Sequence, residues 1–561
     1  MSVSNTPTLP KGRAQNKNSV YDMYTRFFRW ASDRLHDDGV IALITNRNFI
    51  EKAAFDGFRK DVESEFQEIY VVDLGGDVRA NPKLSGTKHN VFGIQTGVTI
   101  SFLVKRHKQK GCKIFYARRP EFDSAEDKLA FLTSSKLSGM KFERIEPDKK
   151  GNWVDLTDND WDDFIPLVSK AAKSNKTGAK SQAIFRLFSR GLGTFRDEWV
   201  YDEDADILAK KMRHFISVYE DVLQSLDHSD RDTIKWDREL EKHLKSRVTK
   251  TFEDQSIRAV QFRPFTKRWV YFDRHLNGMT YQLPSLFKVG ENNPTITILG
   301  IASANPLAVF SCDTLFDLGQ LKNGNGGTQG VPLYRYTSSG ERVDNITDWG
   351  LKQFQTHYGK AEKICKEDIF HYVYAVLHDP FYREKYAMNL KREFPRIPFY
   401  PGFGKWANWG KRLMELHIGY ETVEPWPLKR IDAPDEKARA ASVSPKVVLK
   451  ADKETCVIRL DVETQLSGIP VEAWTYRLGN RSGLEWVLDQ YREKTPKDST
   501  IREKFNTYRF ADYKEKVIDL LMRVTRVSVE TMEIVEAMRS AHRRGSADEN
   551  CDGLSEALDG P

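Results

Sequence analysis

The sequence is poor in cysteine and lacks the spacings on which cysteine chemistry depends. Its 561 residues include only five cysteines, and no two of them form a Cys-x-x-Cys pair. This pattern argues against a zinc site and against a disulfide framework. We therefore expect a protein of the reducing cytoplasm, with no metal site.

Long apolar runs are also missing. No segment approaches the roughly 18 consecutive apolar residues of a membrane span, and the first 17 residues lack the apolar core of a signal peptide. We expect no contact with a membrane. Hydrophobic residues make up 40% of the chain and charged residues 30%, which is typical of soluble globular proteins.

Several catalytic and nucleotide-binding motifs are absent. The chain has no GxxxxGK[ST] loop, no HExxH, no GxSxG and no GxGxxG after a predicted strand. The net charge is only +7, from 87 Lys and Arg against 80 Asp and Glu. Such a small excess permits binding of nucleic acid through local basic patches without requiring it.

The N-terminal part has an α/β pattern. A helix over about 20–35 precedes the apolar strand "VIALIT", and a second helix over about 50–65 precedes the strand "IYVVDL". A polar, glycine-rich loop then leads to a third strand, "GVTISFLVKR". Because a helix connects the first two strands, we expect them to run parallel, and the third to run antiparallel. Their continuous apolar runs are typical of strands covered on both faces, and in this chain alone we expect one edge and an apolar surface to be exposed.

The rest of the chain divides by composition. Residues 111–250 are charged and predict a helical spacer, residues 251–430 mix strands and helices, and a charged linker precedes a last domain at 445–540. Residues 541–561 are polar and are predicted to be disordered. A chain of this length is too long for one hydrophobic core, so several domains are expected.

Two blocks place basic residues among aromatic ones. They are "FRPFTKRWVYFD" and "YREKYAMNLKREFPRIPFY". This composition suits contacts with phosphates beside stacking surfaces; the alternative is an amphipathic element whose charges are simply solvated. The candidate DNA-binding residues are Arg263, Lys267, Arg268, Arg383, Lys391, Arg392 and Arg396.

Three segments carry a resemblance to a known family. The first is "VYDMYTRFFRWASDRLHDDGVIALITNRNF" with "IYVVDL" and "FGIQTGVTISFLVKR"; the second is "RPFTKRWVYFD"; the third runs from "ITDWGLKQFQTHY" through "FPRIPF". Together they resemble the C-terminal half of Type ISP restriction–modification enzymes. The first segment is similar to the part of a γ-type adenine-N6 DNA methyltransferase that follows its catalytic Asn-Pro-Pro-Tyr.

The resemblance implies a fold and a function. The fold is α/β: a truncated Rossmann-like methyltransferase sheet in residues 1–110, followed by α+β target-recognition and C-terminal specificity domains. The function is DNA recognition within a site-specific adenine-N6 methyltransferase, with double-stranded DNA and an upstream methyltransferase or helicase–nuclease polypeptide as partners. The chain then looks like a fragment, the product of a misassigned start, or the second half of a split gene.

The resemblance also bears on the cofactor and on one aromatic residue. The complete enzyme would use S-adenosylmethionine, but the glycine-rich motif and the Asn-Pro-Pro-Tyr are absent here. We therefore assign no catalytic residue and expect no cofactor to be bound by this chain alone. Phe92 matches the aromatic residue that, in related enzymes, stacks on the extruded target base; the alternative is a core phenylalanine.

Two other functions stay open at this point. One is a stand-alone DNA-binding specificity protein without catalysis. The other is a helical protein-interaction module with no role on DNA.

Overall fold

A computed structural model gives the architecture of residues 18–555, except for residues 79–86, 121, 155–158, 175–181, 225–230, 300–304, 322–326, 360, 435, 437–439 and 441–443. The chain forms two compact units. Unit 1 is Met1–Asp162 and unit 2 is Asp163–Pro561.

Unit 1 is built on one mixed sheet with helices before and between its strands. Its elements are α1 Met23–Ser32, β1 Gly39–Asn46, α2 Asn48–Glu51, α3 Asp56–Glu65, β2 Glu68–Gly75, β3 Val98–Lys105, β4 Lys113–Arg118, α4 Ala125–Ser134 and β5 Glu143–Ile145.

The strand order in this sheet is β1-β3-β2-β4-β5. Strand β3 lies between β1 and β2 and is antiparallel to both, so β1 and β2 run in the same direction, as predicted. β4 then adds in parallel to β2, and β5 in antiparallel to β4. The sheet has five strands where the sequence predicted three.

The two faces of this sheet differ. On one face Ile41, Leu103 and Ile69 are buried in a core with Phe28 of α1 and Phe58 of α3. On the other face alternate residues of β1 remain open to solvent. The exposed edge and apolar surface expected for this chain alone are therefore found at β1, which among the described residues is an edge strand that only one layer of helices covers.

Val40 and Ile44 are 59% and 57% exposed and mark the open side. Their neighbours across the sheet are apolar too: Val40 pairs with Val104, and Ile44 with Ile100. We call this side of the sheet the open face. "IYVVDL" differs from β1, since β2 is buried along most of its length, as predicted.

The predicted boundary at residue 110 falls inside this sheet. β4 and β5 lie beyond it, in the range predicted as a helical spacer, and they extend the sheet to Ile145. Their strand character is weak in the sequence, because they are short and only partly buried. The structure places the break at residue 162 instead.

Unit 2 mixes short strands with longer helices. Its helices are α5 Lys170–Lys173, α6 Asp197–Val200, α7 Ala205–Gln224, α8 Arg238–Lys245, α9 Asp348–Tyr358, α10 Lys366–Val376, α11 Pro380–Lys385, α12 Ala387–Arg392, α13 Phe403–Ile418, α14 Val471–Thr475, α15 Gly483–Gln490 and α16 Phe510–Ser555. Its strands are β6 Ile165–Pro166, β7 Ser189–Arg190, β8 Tyr201–Asp202, β9 Ile257–Arg263, β10 Thr266–Tyr271, β11 Thr295–Leu299, β12 Val309–Cys312, β13 Leu315–Phe316, β14 Thr328–Pro332, β15 Tyr334–Tyr336, β16 Arg342–Asp344, β17 Arg396–Ile397, β18 Lys429–Asp432, β19 Val447–Asp452, β20 Val457–Asp461, β21 Thr464–Ser467, β22 Arg477–Leu478 and β23 Arg481–Ser482.

Three four-stranded sheets organise unit 2. Their orders are β13-β9-β10-β8, β12-β11-β14-β7 and β18-β21-β20-β19. The third sheet joins β18, at the start of the predicted linker, to β21, after it. One hydrophobic core likewise contains Phe265 and Phe310 together with Leu460 and Val524. The division predicted between 430 and 445 is therefore not a break in the packing.

The end of the chain also differs from the prediction. Residues 541–555, within the range predicted to be disordered, continue α16, and residues 556–561 lie outside the described part. The helix is already nucleated where it packs on the core, so extension adds one hydrogen bond for each residue fixed. His542 contacts Asp379 at 2.9 Å.

Two general findings concern the described residues. None of the helices there is both long and apolar enough to cross a bilayer. Cys112, Cys312, Cys365 and Cys456 are free thiols.

Candidate nucleic-acid interface

A buried ion pair joins the ends of β1 and β2. Arg47, directly after β1, donates from Nη2 to Asp73 Oδ2 at 2.8 Å and from Nε to Asp73 Oδ1 at 3.1 Å. Tyr116 on β4 donates its hydroxyl to Asp73 Oδ2 at 2.7 Å. Burial by itself raises the pKa of Asp73, but Arg47 and the hydrogen bonds hold the pKa below its ordinary value. Asp73 is therefore an internal anion with its partners in place.

Arg47 also supports the segment that carries Phe92. Its backbone N–H donates to Gly97 O at 3.0 Å. A Cβ added to Gly97 would lie 2.2 Å from Arg47 Cδ, so only glycine at position 97 lets the segment rest on this side chain. The ion pair thus fixes where the loop returns into β3.

Asn90 shapes the turn around Phe92. Its side-chain Oδ1 accepts from the Phe92 N–H at 2.9 Å, and its Nδ2 donates to Thr96 O at 2.7 Å. Asparagine favours turns of this kind because its side chain replaces a backbone partner. Sequence reasoning missed Asn90, although an Asn two residues before an exposed aromatic is a readable turn signal.

A second support comes from α4. The buried Lys128 donates from Nζ to His89 O at 2.6 Å, and Ala125 N–H donates to Lys88 O at 2.9 Å. Lys128 was not predicted, because a lysine 39 residues away from its partner leaves no local pattern. Between them, α4 and Asn90 anchor residues 88–96 on both sides of Phe92.

Phe92 itself is 58% exposed. The alternative of a core phenylalanine is therefore wrong: the turn presents the ring to solvent. Ile94 and Phe122 are exposed as well, and the Phe122 and His89 rings lie nearly perpendicular, with 6.3 Å between their centroids. The predicted stacking of Phe92 on a base remains a prediction, and the exposure leaves the ring available for it.

Arg263, in the first basic block, has partners inside the protein. Its Nη1 lies 2.7 Å from Asp317 Oδ1, and Asp317 Oδ2 accepts from the Tyr201 hydroxyl at 2.8 Å. Burial raises the pKa of Asp317, and the charge of Arg263 opposes that rise. Arg263 therefore compensates a buried carboxylate.

Lys267 and Arg268 are paired as well. Lys267 Nζ lies 2.8 Å from Glu421 Oε2, and Arg268 Nε lies 2.6 Å from Glu203 Oε1. The guanidinium groups of Arg263 and Arg268 both lie over the Phe262 ring, at 4.0 and 4.3 Å from its centroid. The alternation of basic and aromatic residues here builds a packed layer.

The candidate residues of the second basic block differ in their exposure and in their partners. Arg383 donates from Nε to Leu377 O at 2.6 Å, and Arg396 donates from Nη1 to Phe164 O at 3.3 Å. Arg392 is half-buried, whereas Lys391 is exposed on α12. The structure therefore does not bring the seven predicted residues into one basic surface, and Lys391 is the most accessible of them.

Comparison with known proteins identifies the family. The family model described as "Type ISP C-terminal specificity domain" matches residues 183–520. The chain belongs to the Type ISP family. The resemblance of the sequence to this family is thus confirmed. A search of the curated proteins finds no match.

Solved structures give the same family over almost the whole chain. A DrdV–DNA complex is 47% identical, with a TM-score of 0.81 over 94% of this chain and 53% of DrdV. The nuclease-deletion mutant of the Type ISP enzyme LlaGI with a DNA substrate mimic is 26% identical, with a TM-score of 0.75 over 94% of this chain and 49% of that one. LlaBIII, an ATP-dependent Type ISP restriction–modification enzyme bound to DNA, is also 26% identical, with a TM-score of 0.75. Its match covers 94% of this chain and 35% of the LlaBIII chain. This chain spans about half or less of each.

A metal centre has no support in the described part of the chain. No group of three or more His, Cys, Asp or Glu side chains there is arranged to hold a metal ion.

Proposed function

We propose that this chain recognises DNA as part of a Type ISP, site-specific adenine-N6 methyltransferase. The observation that carries the proposal is the match over 94% of the chain to DrdV, whose structure is a DNA complex. The match of residues 183–520 to a specificity domain supports the same role for unit 2. The Rossmann-like methyltransferase identity of the unit 1 sheet is part of this proposal.

In the complete enzyme, a methyl group would pass from S-adenosylmethionine to adenine N6. Among the described residues of unit 1, Asp73, the carboxylate at the end of β2, already accepts from Arg47, Tyr116 and the Gly75 N–H, so it is not available to a cofactor hydroxyl. We therefore assign no cofactor contact to this chain. Its contribution is to hold the DNA and to position the target base.

Phe92 is the residue proposed to meet that base. An enzyme that modifies a base must extrude it from the duplex, and an aromatic ring then replaces the lost stacking. The exposed ring on an anchored turn supports this role. The anchored turn favours binding, because a ring that is already held in place loses less conformational entropy when it stacks on the base.

The open face of the unit 1 sheet is the proposed contact for the upstream polypeptide. In an α/β sheet both faces are normally covered by helices. Here Val40 and Ile44 are open, and DrdV contains about as much chain again as the part matched here. We propose that the additional chain covers the open face and supplies the catalytic motif.

The basic residues are proposed to act in two ways. Lys391, exposed on α12, is the candidate for contact with a phosphate. The predicted DNA contacts of Arg263, Lys267, Arg268, Arg383 and Arg396 have less support, because each already has an internal partner.

A reconstitution experiment tests the proposal. This chain is mixed with the part of DrdV that it does not match, and methyl transfer from labelled S-adenosylmethionine to adenine N6 of bacterial chromosomal DNA is measured. The proposal predicts methylation by the mixture and none by either part alone. DNA binding without methylation would favour the stand-alone specificity protein, which the match to the specificity domain also allows. Absence of both would favour a protein-interaction module.

A further inference from the structure

Unit 2 exposes a group of apolar side chains, and none of them belongs to a residue predicted to bind DNA. Phe195 is 52% exposed. Met279 and Tyr281, which are two residues apart in the sequence, are also exposed. Phe195 and Tyr281 lie 86 residues apart, and neither falls in a basic block. The fold brings their segments together, so sequence patterns could not have found the group.

Backbone hydrogen bonds lock the two segments to each other. Gly193 N–H donates to Met279 O at 3.0 Å, and Met279 N–H donates to Gly193 O at 2.7 Å. Gly278 N–H donates to Thr194 O at 3.3 Å. The buried Arg196 adds a bond from Nη1 to Leu276 O at 3.0 Å. The exposed side chains therefore stand on a rigid base.

The Phe195 ring packs against Gly278. A Cβ added to Gly278 would lie 2.0 Å from Phe195 Cδ2, so the ring rests directly on the backbone of residue 278. One side of the ring is supported in this way and the other faces solvent. The backbone of Phe195 is left-handed, with φ of 60°, as is that of Tyr281, with φ of 47°. Such backbone is sparsely populated by residues other than glycine and is often kept at functional sites.

Positive charge borders this apolar group. The exposed Arg190 has its guanidinium carbon 5.9 Å from the centroid of the Tyr281 ring. Lys173 is half-buried and donates from Nζ to Phe188 O at 2.9 Å, whereas Lys170, on the same short helix, is exposed. One exposed acid, Asp197, follows Phe195, and it accepts a hydrogen bond from Thr194. We call Phe195, Met279, Tyr281 and Arg190 the aromatic–basic surface.

We propose that the aromatic–basic surface is a DNA contact in which Phe195 and Met279 press against a base step while Arg190 binds a flanking phosphate. Apolar wedges of this kind unstack a base step, and adjacent cations neutralise the backbone. The occupant is duplex DNA because the surface combines exposed apolar side chains with the exposed cation Arg190, and because the similar solved structures are bound to DNA. The inference rests on the proposed function, and it adds a site to it.

Two classes of variant test the apolar side chains and the positive charge of this surface separately. Binding of the full chain to a labelled mixed-sequence duplex is measured over a range of salt concentrations. Phe195→Ala should weaken binding about tenfold with an unchanged salt slope, because it removes stacking and no charge. Arg190→Ala should reduce the slope of log K against log salt by about 1, because one fewer counterion is released.

A third variant and a matched control complete the test. Gly278→Ala should weaken binding like Phe195→Ala, because the added methyl displaces the ring while leaving it in the protein. Trp269→Ala changes another exposed aromatic of unit 2, in the first basic block, and should leave binding unchanged. Each variant is first checked for an unchanged melting temperature; if Phe195→Ala melts early it is replaced by Phe195→Leu, which keeps an apolar side chain but loses the ring.

The outcomes distinguish this inference from the proposed function. If the unaltered chain binds DNA and neither Phe195→Ala nor Phe195→Leu weakens it, the aromatic–basic surface is overturned and DNA recognition stands. A loss confined to Trp269→Ala would also overturn it, in favour of the first basic block. If the unaltered chain does not bind DNA at all, the proposed function fails, and this inference fails with it.

Discussion

Phe92 in unit 1 and Arg263 in unit 2 are both singled out by the sequence for contact with DNA, yet they occupy opposite environments. The Phe92 ring is exposed on a turn that Asn90 and α4 hold in place. Arg263 is tied to Asp317 and lies over the Phe262 ring. The Phe92 ring is available to a partner, whereas the charge of Arg263 is used to compensate a buried anion. Interleaved basic and aromatic residues therefore do not by themselves show that the cations can reach DNA.

The largest effect should come from breaking the internal pair. Arg263→Ala leaves Asp317 buried without its cation, which should reduce the free energy of unfolding by about 3–5 kcal/mol. Chemical denaturation of the full chain measures this. Lys391→Ala, an exposed matched control, should change stability by less than about 0.5 kcal/mol. Adding Asp317→Asn to Arg263→Ala should recover part of the loss. An unchanged stability with weakened DNA binding would mean that Arg263 contacts DNA.

Buried histidines should make unit 2 sensitive to acid. Burial, together with the charge of Arg383, lowers the pKa of His417 to about 3, and burial also lowers the pKa of His378 well below its ordinary value. Below pH 6.5 the unfolded state binds these protons and the folded state does not, so stability falls as pH falls. The expected loss is about 1.4 kcal/mol per pH unit for each histidine.

Unfolding experiments at pH 7, 6 and 5 check this dependence. His417→Gln should reduce the slope of stability against pH by the contribution of one proton, about 1.4 kcal/mol per pH unit. A stability that stays flat over this range would show that the two imidazoles do not remain neutral in the folded protein.

Phe92→Ala should affect function and not folding. In the reconstituted enzyme it removes one contact between an aromatic ring and a base, worth about 1–3 kcal/mol. Phe92→Trp should keep most of the activity, because a larger ring can still stack. Methylation rates and melting temperatures are compared for both variants. A large drop in melting temperature for Phe92→Ala would force the base-stacking role to be withdrawn.

The smallest effect on the fold is expected at the open face of unit 1. Ile44→Lys places a charge on an exposed apolar position and should change stability by less than about 0.5 kcal/mol. It should nevertheless reduce self-association of the isolated chain and weaken its binding to the upstream polypeptide, because the apolar contact is lost. Sedimentation measures both. A chain that is monomeric with or without the change would argue against a role for this face.

Much of unit 1 could be predicted from the sequence, because its strands carry their pattern locally. "IYVVDL" is continuously apolar, and β2 is buried accordingly. The helical connection fixed the common direction of β1 and β2. The short strands β4 and β5 could not be found in this way, because their positions depend on pairing with β2 and with each other.

The candidate site was only partly predictable. Phe92 stands directly before an apolar strand, so its position is visible in the sequence, whereas its support by Lys128 depends on a contact across 39 residues. The basic blocks show the converse. Arg263 and Asp317 are 54 residues apart, so a sequence pattern could not show that the arginine already has a partner.

The most direct test of the account is the binding of the full chain to duplex DNA as a function of salt. We predict binding whose logarithm falls linearly with the logarithm of salt concentration, because cations on the protein release counterions from the phosphates. The slope should be unchanged by Arg263→Ala in protein that is still folded, since that charge is used internally. A chain that does not bind DNA, or binds it with no dependence on salt, would contradict DNA recognition by this protein.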